Sequence, residues 1–134
     1  MLNSPAFGLT KTLPGVAYSD ALPRVRDALA AHGFGVLTEI DMKATMKKKL
    51  GKDMPSYMIL GACNPPAAWD ALQAEPAIGL LLPCNVVVTE DADGNAVVGA
   101  ISPNAMFGVV GAEGVEPLAD QVRDMLQDAL DSLG

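Results

Sequence analysis

The tetrapeptide Asp91-Ala92-Asp93-Gly94 is the strongest single constraint on how this chain can fold. It stands between two runs rich in β-branched residues, 85–90 and 95–101. Glycine supplies the positive φ that such a turn needs, and Asp side chains bond to backbone N–H groups nearby. The two runs therefore read as an antiparallel β-hairpin. Any fold for this chain has to contain that pair.

The remaining elements are read outward from the hairpin. Residues 57–63 are apolar at every position, as expected of a strand covered on both faces. A first strand is expected within residues 8–16, with Pro14 marking an edge or an early end. Ser19 is the expected cap of a helix carrying Ala21, Leu22, Val25, Ala28 and Leu29 at helical spacing. Gly33 stops that helix. Residues 34–40 alternate, which puts Phe34, Val36 and Ile40 on one face and Glu39 on the other. Asp41 caps a short helix whose buried stripe is Met42, Met46 and Leu50, and Gly51 ends it. Asn64 caps a further helix, with Pro65 in its first turn, running to about Glu75. Residues 78–82 have no readable period, and 106–110 read as a short strand. A long amphipathic helix closes the chain over about 116–133, with Leu118, Val122, Met125, Leu126, Ala129 and Leu133 as its apolar stripe. The order β-α-β-α-β-α-β-β-α mixes crossovers with a hairpin. It predicts the α+β class: one mixed sheet with helices packed on it.

A chain of 134 residues fits one domain, and half of it is hydrophobic with only 19% charged, which excludes disorder. The net charge of −7 repels phosphate backbones, so nucleic acid is not an expected partner. Residues 1–12 lack a basic segment followed by an apolar run, and the longest apolar stretch, 78–82, is too short for a bilayer. A cytoplasmic protein with two reduced thiols and no membrane association is the expectation. The charge is uneven. Lys43, Lys47, Lys48, Lys49 and Lys52 crowd one short segment, whereas the last helix carries Asp120, Asp124 and Asp128 four apart.

Two Cys-Asn turns, Cys63-Asn64-Pro65 and Pro83-Cys84-Asn85, are the leading candidates for a ligand site. Cys63 ends a strand and precedes a helix start, where the positive end of the helix dipole can lower a thiol pKa. The plain alternative is a small buried cysteine beside a capping Asn. Cys84 and Asn85 open the next strand. If that strand pairs with residues 57–63 the two turns meet at one sheet end. Otherwise Asn85 serves only its local backbone. Lys43, Lys47 and Lys48 form a candidate anion or partner patch, or simply a solvated helix face. No metal site is expected. C-x-x-C and paired histidines are lacking, and the lone His32 suits a helix C-terminus. Gly108, Gly111 and Gly114 do not match a phosphate-cradling loop.

The run Tyr57-Met-Ile-Leu-Gly-Ala-Cys-Asn-Pro65, the Ala-Leu before Glu75-Pro76, and Ile78-Gly-Leu-Leu-Leu-Pro-Cys-Asn-Val-Val-Val88 resemble the domain-of-unknown-function family 302, also called TT1751-like. The resemblance extends upstream to Gly33-Phe34 and Glu39-Ile40-Asp41. It implies a two-layer sandwich and a tendency to dimerise. It carries no catalytic residue and no cofactor. Three functional expectations stand together: a homodimeric module that binds a small ligand or a partner without catalysis, a thiol-dependent enzyme or redox protein using Cys63 or Cys84, and a metal- or haem-type binding protein. The first rests on the lack of a complete catalytic set, the two-sided apolar strand and the opposed charge clusters.

Overall fold

A computed structural model describes residues 2–134. Its elements follow the chain as β1 (Gly8–Leu13), α1 (Tyr18–Ala31), β2 (Gly35–Asp41), α2 (Met42–Leu50), β3 (Tyr57–Cys63), α3 (Pro65–Ala74), a 3-10 helix (Pro76–Leu81), β4 (Cys84–Glu90), β5 (Ala96–Ile101), α4 (Pro103–Phe107) and α5 (Val115–Asp131). The five strands form one open sheet in the order β1-β5-β4-β3-β2. Every pairing is antiparallel, so the sheet is not mixed as the element order suggested. The connections through α2 and through α3 with the 3-10 helix return the chain antiparallel to the strand it left, while α1 carries it from one edge strand, β1, to the other, β2, with its direction unchanged. An α+β fold results, with helices packed on an antiparallel sheet.

Strand alternation divides the sheet into two faces. Leu60 and Ala62 of β3, Val86 and Val88 of β4, and Val98 and Ala100 of β5 point toward the helices. There they bury against Ala21, Val25 and Leu29 of α1 and Val122, Leu126 and Leu130 of α5. At about 25 cal/mol per Å² of apolar surface, each valine or leucine among them contributes roughly 1.5–3 kcal/mol and each alanine less. A smaller cluster of Ala71, Ile78, Phe107, Val115 and Ala119 ties α3, the 3-10 helix and α4 to the first part of α5. The opposite face carries a row that runs Thr10, Gly99, Val87, Ile59, Ile40 across all five strands.

Several local expectations are corrected. The N-cap of α1 is Ala17, not Ser19, and no side chain caps it. Residues 106–110 belong to the end of α4 and the turn after it rather than to a strand. Residues 78–81 lie in the 3-10 helix, whose tighter repeat matches neither the helical nor the strand period. The pairing of β2 slips between Val36 and Thr38, so Leu37 is a bulge. Beyond it, Glu39 and Asp41 stand opposite Leu60 and Met58 on the helix side, and Ile40 stands opposite Ile59 on the other face. One extra residue thus exchanges the two faces of the strand. Glu39 accepts a hydrogen bond from Arg26 Nε of α1 at 3.1 Å, which a strict alternation would have forbidden.

The hairpin turn forms as read. The Asp91 carboxylate accepts from the backbone N–H of Asp93 at 3.0 Å and of Asn95 at 2.9 Å, and Gly94 takes φ +82°. Asp41 caps α2 by accepting from Ala44 N at 2.9 Å. The expected stripe on α2 does not bury. No residue of this helix is fully covered, and Leu50 is 62% exposed.

Candidate functional site

β3 and β4 pair with Ala62 opposite Cys84, which brings the two Cys-Asn turns to one end of the sheet. Asn64 is the N-cap of α3: its Oδ1 accepts from Ala67 N at 3.0 Å, satisfying one of the helix's free donors. Its Nδ2 donates to the Gly33 carbonyl at 2.9 Å, pinning the turn after α1 to the start of α3. Gly33 has φ +89°, and a Cβ there would stand 3.0 Å from Met125 Cε and 3.2 Å from Asn64 Nδ2. Asn64 is thereby fully engaged in holding the fold together. The Leu82–Pro83 peptide is cis. The Pro83 ring lies over Gly61, where a Cβ would meet it at 2.8 Å.

Both cysteines are free thiols, Cys84 buried and Cys63 half-buried. Alternation sends Cys84 toward the helices and places Cys63 on the opposite face with Gly61. They start from opposite faces of the sheet end, yet both border the same small cavity. Burial pushes the Cys63 thiol up. Burial, with the neighbouring Cys63 adding to it, pushes Cys84 up to about 11. At Cys63, beside the start of α3, burial thus acts against the lowering that a helix N-terminus can give.

A small apolar cavity borders the two turns. Phe34, Ala62, Cys63, Asn64, Ala67, Cys84, Phe107 and Val122 are among its walls. Its volume is about 30 Å³. That is room for about one water molecule, against roughly 300–1,000 Å³ for an organic ligand. Asn85 is not part of it. It is exposed on the opposite face, where it borders two adjoining grooves of about 240 and about 200 Å³. Phe7 and Ile101 line both grooves with Asn85. The larger of the two is completed by Leu81, Pro83 and Met106, the other by Leu2, Pro5, Tyr57 and Val87. The four candidate residues are thus split: Cys63, Asn64 and Cys84 border the small cavity, and Asn85 faces the grooves on the other side. Sequence reading missed Phe7 and Ile101. Their only signal was an apolar residue at an outward strand position or in the segment leading into β1.

The lysine patch lies on α2 as expected. Lys47 pairs with Asp53 at 3.1 Å, while Lys43 and Lys48 make no ion pair among the described residues. Among those residues no three His, Cys, Asp or Glu side chains converge to hold a metal ion. The His32 ring sits at the end of α1 with Nδ1 2.8 Å from the Ala28 carbonyl, where a ring N–H caps the helix. No helix among them is long and apolar enough to cross a membrane.

A family profile described as "Domain of unknown function DUF302" matches residues 9–133. The chain belongs to the DUF302 family. The crystal structure of an uncharacterized conserved DUF302 protein from Bacillus stearothermophilus is similar to this chain at 26% identity with a TM-score of 0.86, covering 95% of this chain and 98% of that one. No curated protein matches the chain. The DUF302 assignment carries the fold and no catalytic role.

Proposed function

We propose that this DUF302 chain is a single-domain, homodimeric binding module without catalysis, and that it self-associates through the face of the sheet that its helices leave open. One observation carries the reading. In an antiparallel sheet with helices on one face, the other face is ordinarily polar. Here it carries Val87, Ile59, Ile40, Ile101 and Tyr57 among Gly99, Asn85 and the threonines Thr10, Thr12, Thr38 and Thr89, with no charged side chain at any of its paired positions. Tyr57, Ile59, Val87 and Ile101 are only half-buried in one chain, and Ile40 is 46% exposed. A second copy supplies the missing cover for a strand that the sequence makes apolar on both sides. The grooves beside Asn85 are the place for a small ligand, because the cavity at the cysteines holds no more than a water. Two thiols kept neutral by burial favour this reading over a thiol enzyme, and they suit a reducing, cytoplasmic setting.

Sedimentation velocity over a wide concentration range tests the association. The expected result is a dimer that becomes a monomer in Val87→Asp or Ile59→Asp, with the far-UV circular dichroism of each variant unchanged. A wild-type chain that stays monomeric at the highest concentration overturns it.

A further inference from the structure

The helix α2 is an anomaly on this molecule. Residues 42–52 carry five positive charges and no negative one, while the whole chain carries −7. The rest of the chain is therefore at −12. Of the five lysines only Lys47 is held in an ion pair, with Asp53. Lys43, Lys48, Lys49 and Lys52 are exposed and make no ion pair among the described residues. No residue of the helix is fully buried. One large apolar side chain stands in open solvent beside this charge: Leu50, 62% exposed, at the end of the helix.

The chemistry of an occupant follows from these charges. At physiological ionic strength the Debye length is about 8 Å, so a ligand at α2 senses the local lysines more than the distant acidic surface. A short acidic ligand gains from this arrangement. A long polyanion such as nucleic acid would run off the patch onto the −12 remainder. A lipid surface is disfavoured because Met42 and Met46 are half-buried, leaving Leu50 as the one free large apolar side chain of the helix. A second copy is disfavoured because two of the three aspartates in the row of α5 already have a partner: Arg123 pairs with Asp120 at 3.3 Å and with Asp124 at 3.1 Å, and Asn104 donates to Asp120 at 2.6 Å. We infer that α2 is the docking surface for a short acidic segment of a partner protein, one that brings carboxylates to the lysines and an apolar side chain to Leu50. This inference names the partner side of the binding-module reading and does not depend on self-association.

The test uses the full chain and a short fluorescein-labelled peptide of alternating glutamate and leucine. Fluorescence anisotropy is expected to show binding that weakens as sodium chloride is raised. In the triple variant Lys43→Glu, Lys48→Glu, Lys49→Glu it is expected to fall at least about tenfold. All three positions are exposed, and circular dichroism checks that the variant folds. A matching peptide with glutamine in place of glutamate is expected not to bind. Equal binding of both peptides, or equal binding by the triple variant, overturns the inference. So does binding to phosphatidylserine vesicles without binding to the acidic peptide. Sedimentation of the same triple variant separates this from dimerisation. If reversing the lysines abolishes self-association, α2 serves a second copy and the inference fails. If the wild type is monomeric but binds the peptide, the dimer reading fails and the inference stands.

Discussion

Replacing Gly61 by alanine tests how the Cys-Asn end of the sheet is built. A Cβ at this position on β3 would stand 2.8 Å from Pro83 Cγ and well inside contact distance of Thr38 Oγ1. Thr38 is the residue paired with Gly61 immediately after the β2 bulge. Relieving the hydroxyl contact requires an off-rotamer or rotated threonine, at about 0.5–1.5 kcal/mol. The Pro83 ring has no rotamer to escape into, so its contact adds overpacking strain of about 1–2 kcal/mol. Alanine also narrows the unfolded ensemble, which returns about 0.5–1 kcal/mol. The net loss for Gly61→Ala is about 2 kcal/mol, seen as a fall in Tm of about 6–10 °C for a chain of this size. Urea titrations followed by circular dichroism, all at one protein concentration, measure it. Thr38→Ala removes the hydroxyl and leaves only a Cβ at 3.5 Å, an ordinary contact. In that background Gly61→Ala should therefore cost about 1 kcal/mol less, a coupling that a double-mutant cycle reads directly. A Gly61→Ala chain as stable as the wild type, or the same loss in both backgrounds, refutes this packing.

Two further outcomes are expected. Asn64→Ala removes both the cap of α3 and the bond to the Gly33 carbonyl, so it should lower stability by about 1–2 kcal/mol in the same urea assay, whereas Asn85→Ala, on an exposed side chain with no role as a cap, should change stability by less than about 0.5 kcal/mol. Cys84 has its thiol pKa raised from an ordinary value of 9.0 to about 11, so its contribution to stability is fully present below pH 9 and lost as the pH rises through 11, and the wild type should lose about 2–3 kcal/mol more over that interval than Cys84→Ala does.

Much of the fold was legible because its signals are local. Asp91 and Gly94 make the hairpin by bonds within five residues, and Asn64 and Asp41 cap the helices that follow them. The stripe on α5 could be read because 3.6-residue spacing survives over a long helix, and its Val122, Leu126 and Ala129 are buried as expected. What failed depended on tertiary pairing. The bulge at Leu37 has no local signature, yet it decides which face Glu39 and Ile40 occupy. Sheet direction failed for a similar reason: whether a helical connection returns a strand parallel or antiparallel depends on where the helix docks. The candidate site was half legible. That the two turns meet was foreseen on the condition that their strands pair. That Cys63 and Asn85 start from the face opposite Cys84 follows from strand parity, which gains meaning only once the register is known.

The open face and the charge clusters lead to different kinds of association, and the fold separates them. By charge alone, the lysines of one copy and the acidic helix of another are a complementary pair. In the folded chain α5 packs its apolar stripe against the helix side of the sheet, so Asp120, Asp124 and Asp128 face solvent on the side away from Val87 and Ile59. A dimer built on the open face therefore keeps both acidic rows on its outside. Its association is expected to survive, and even to strengthen, as salt rises, because burial of uncharged side chains has no Coulomb attraction to lose and the mutual repulsion of two chains at −7 is screened. Peptide capture by α2 has the opposite dependence. One salt titration read by sedimentation and by anisotropy thus assigns each surface its own physics. A dimer that dissociates in parallel with the peptide would mean that the lysines, not the apolar row through Gly99 and Val87, hold the two copies together.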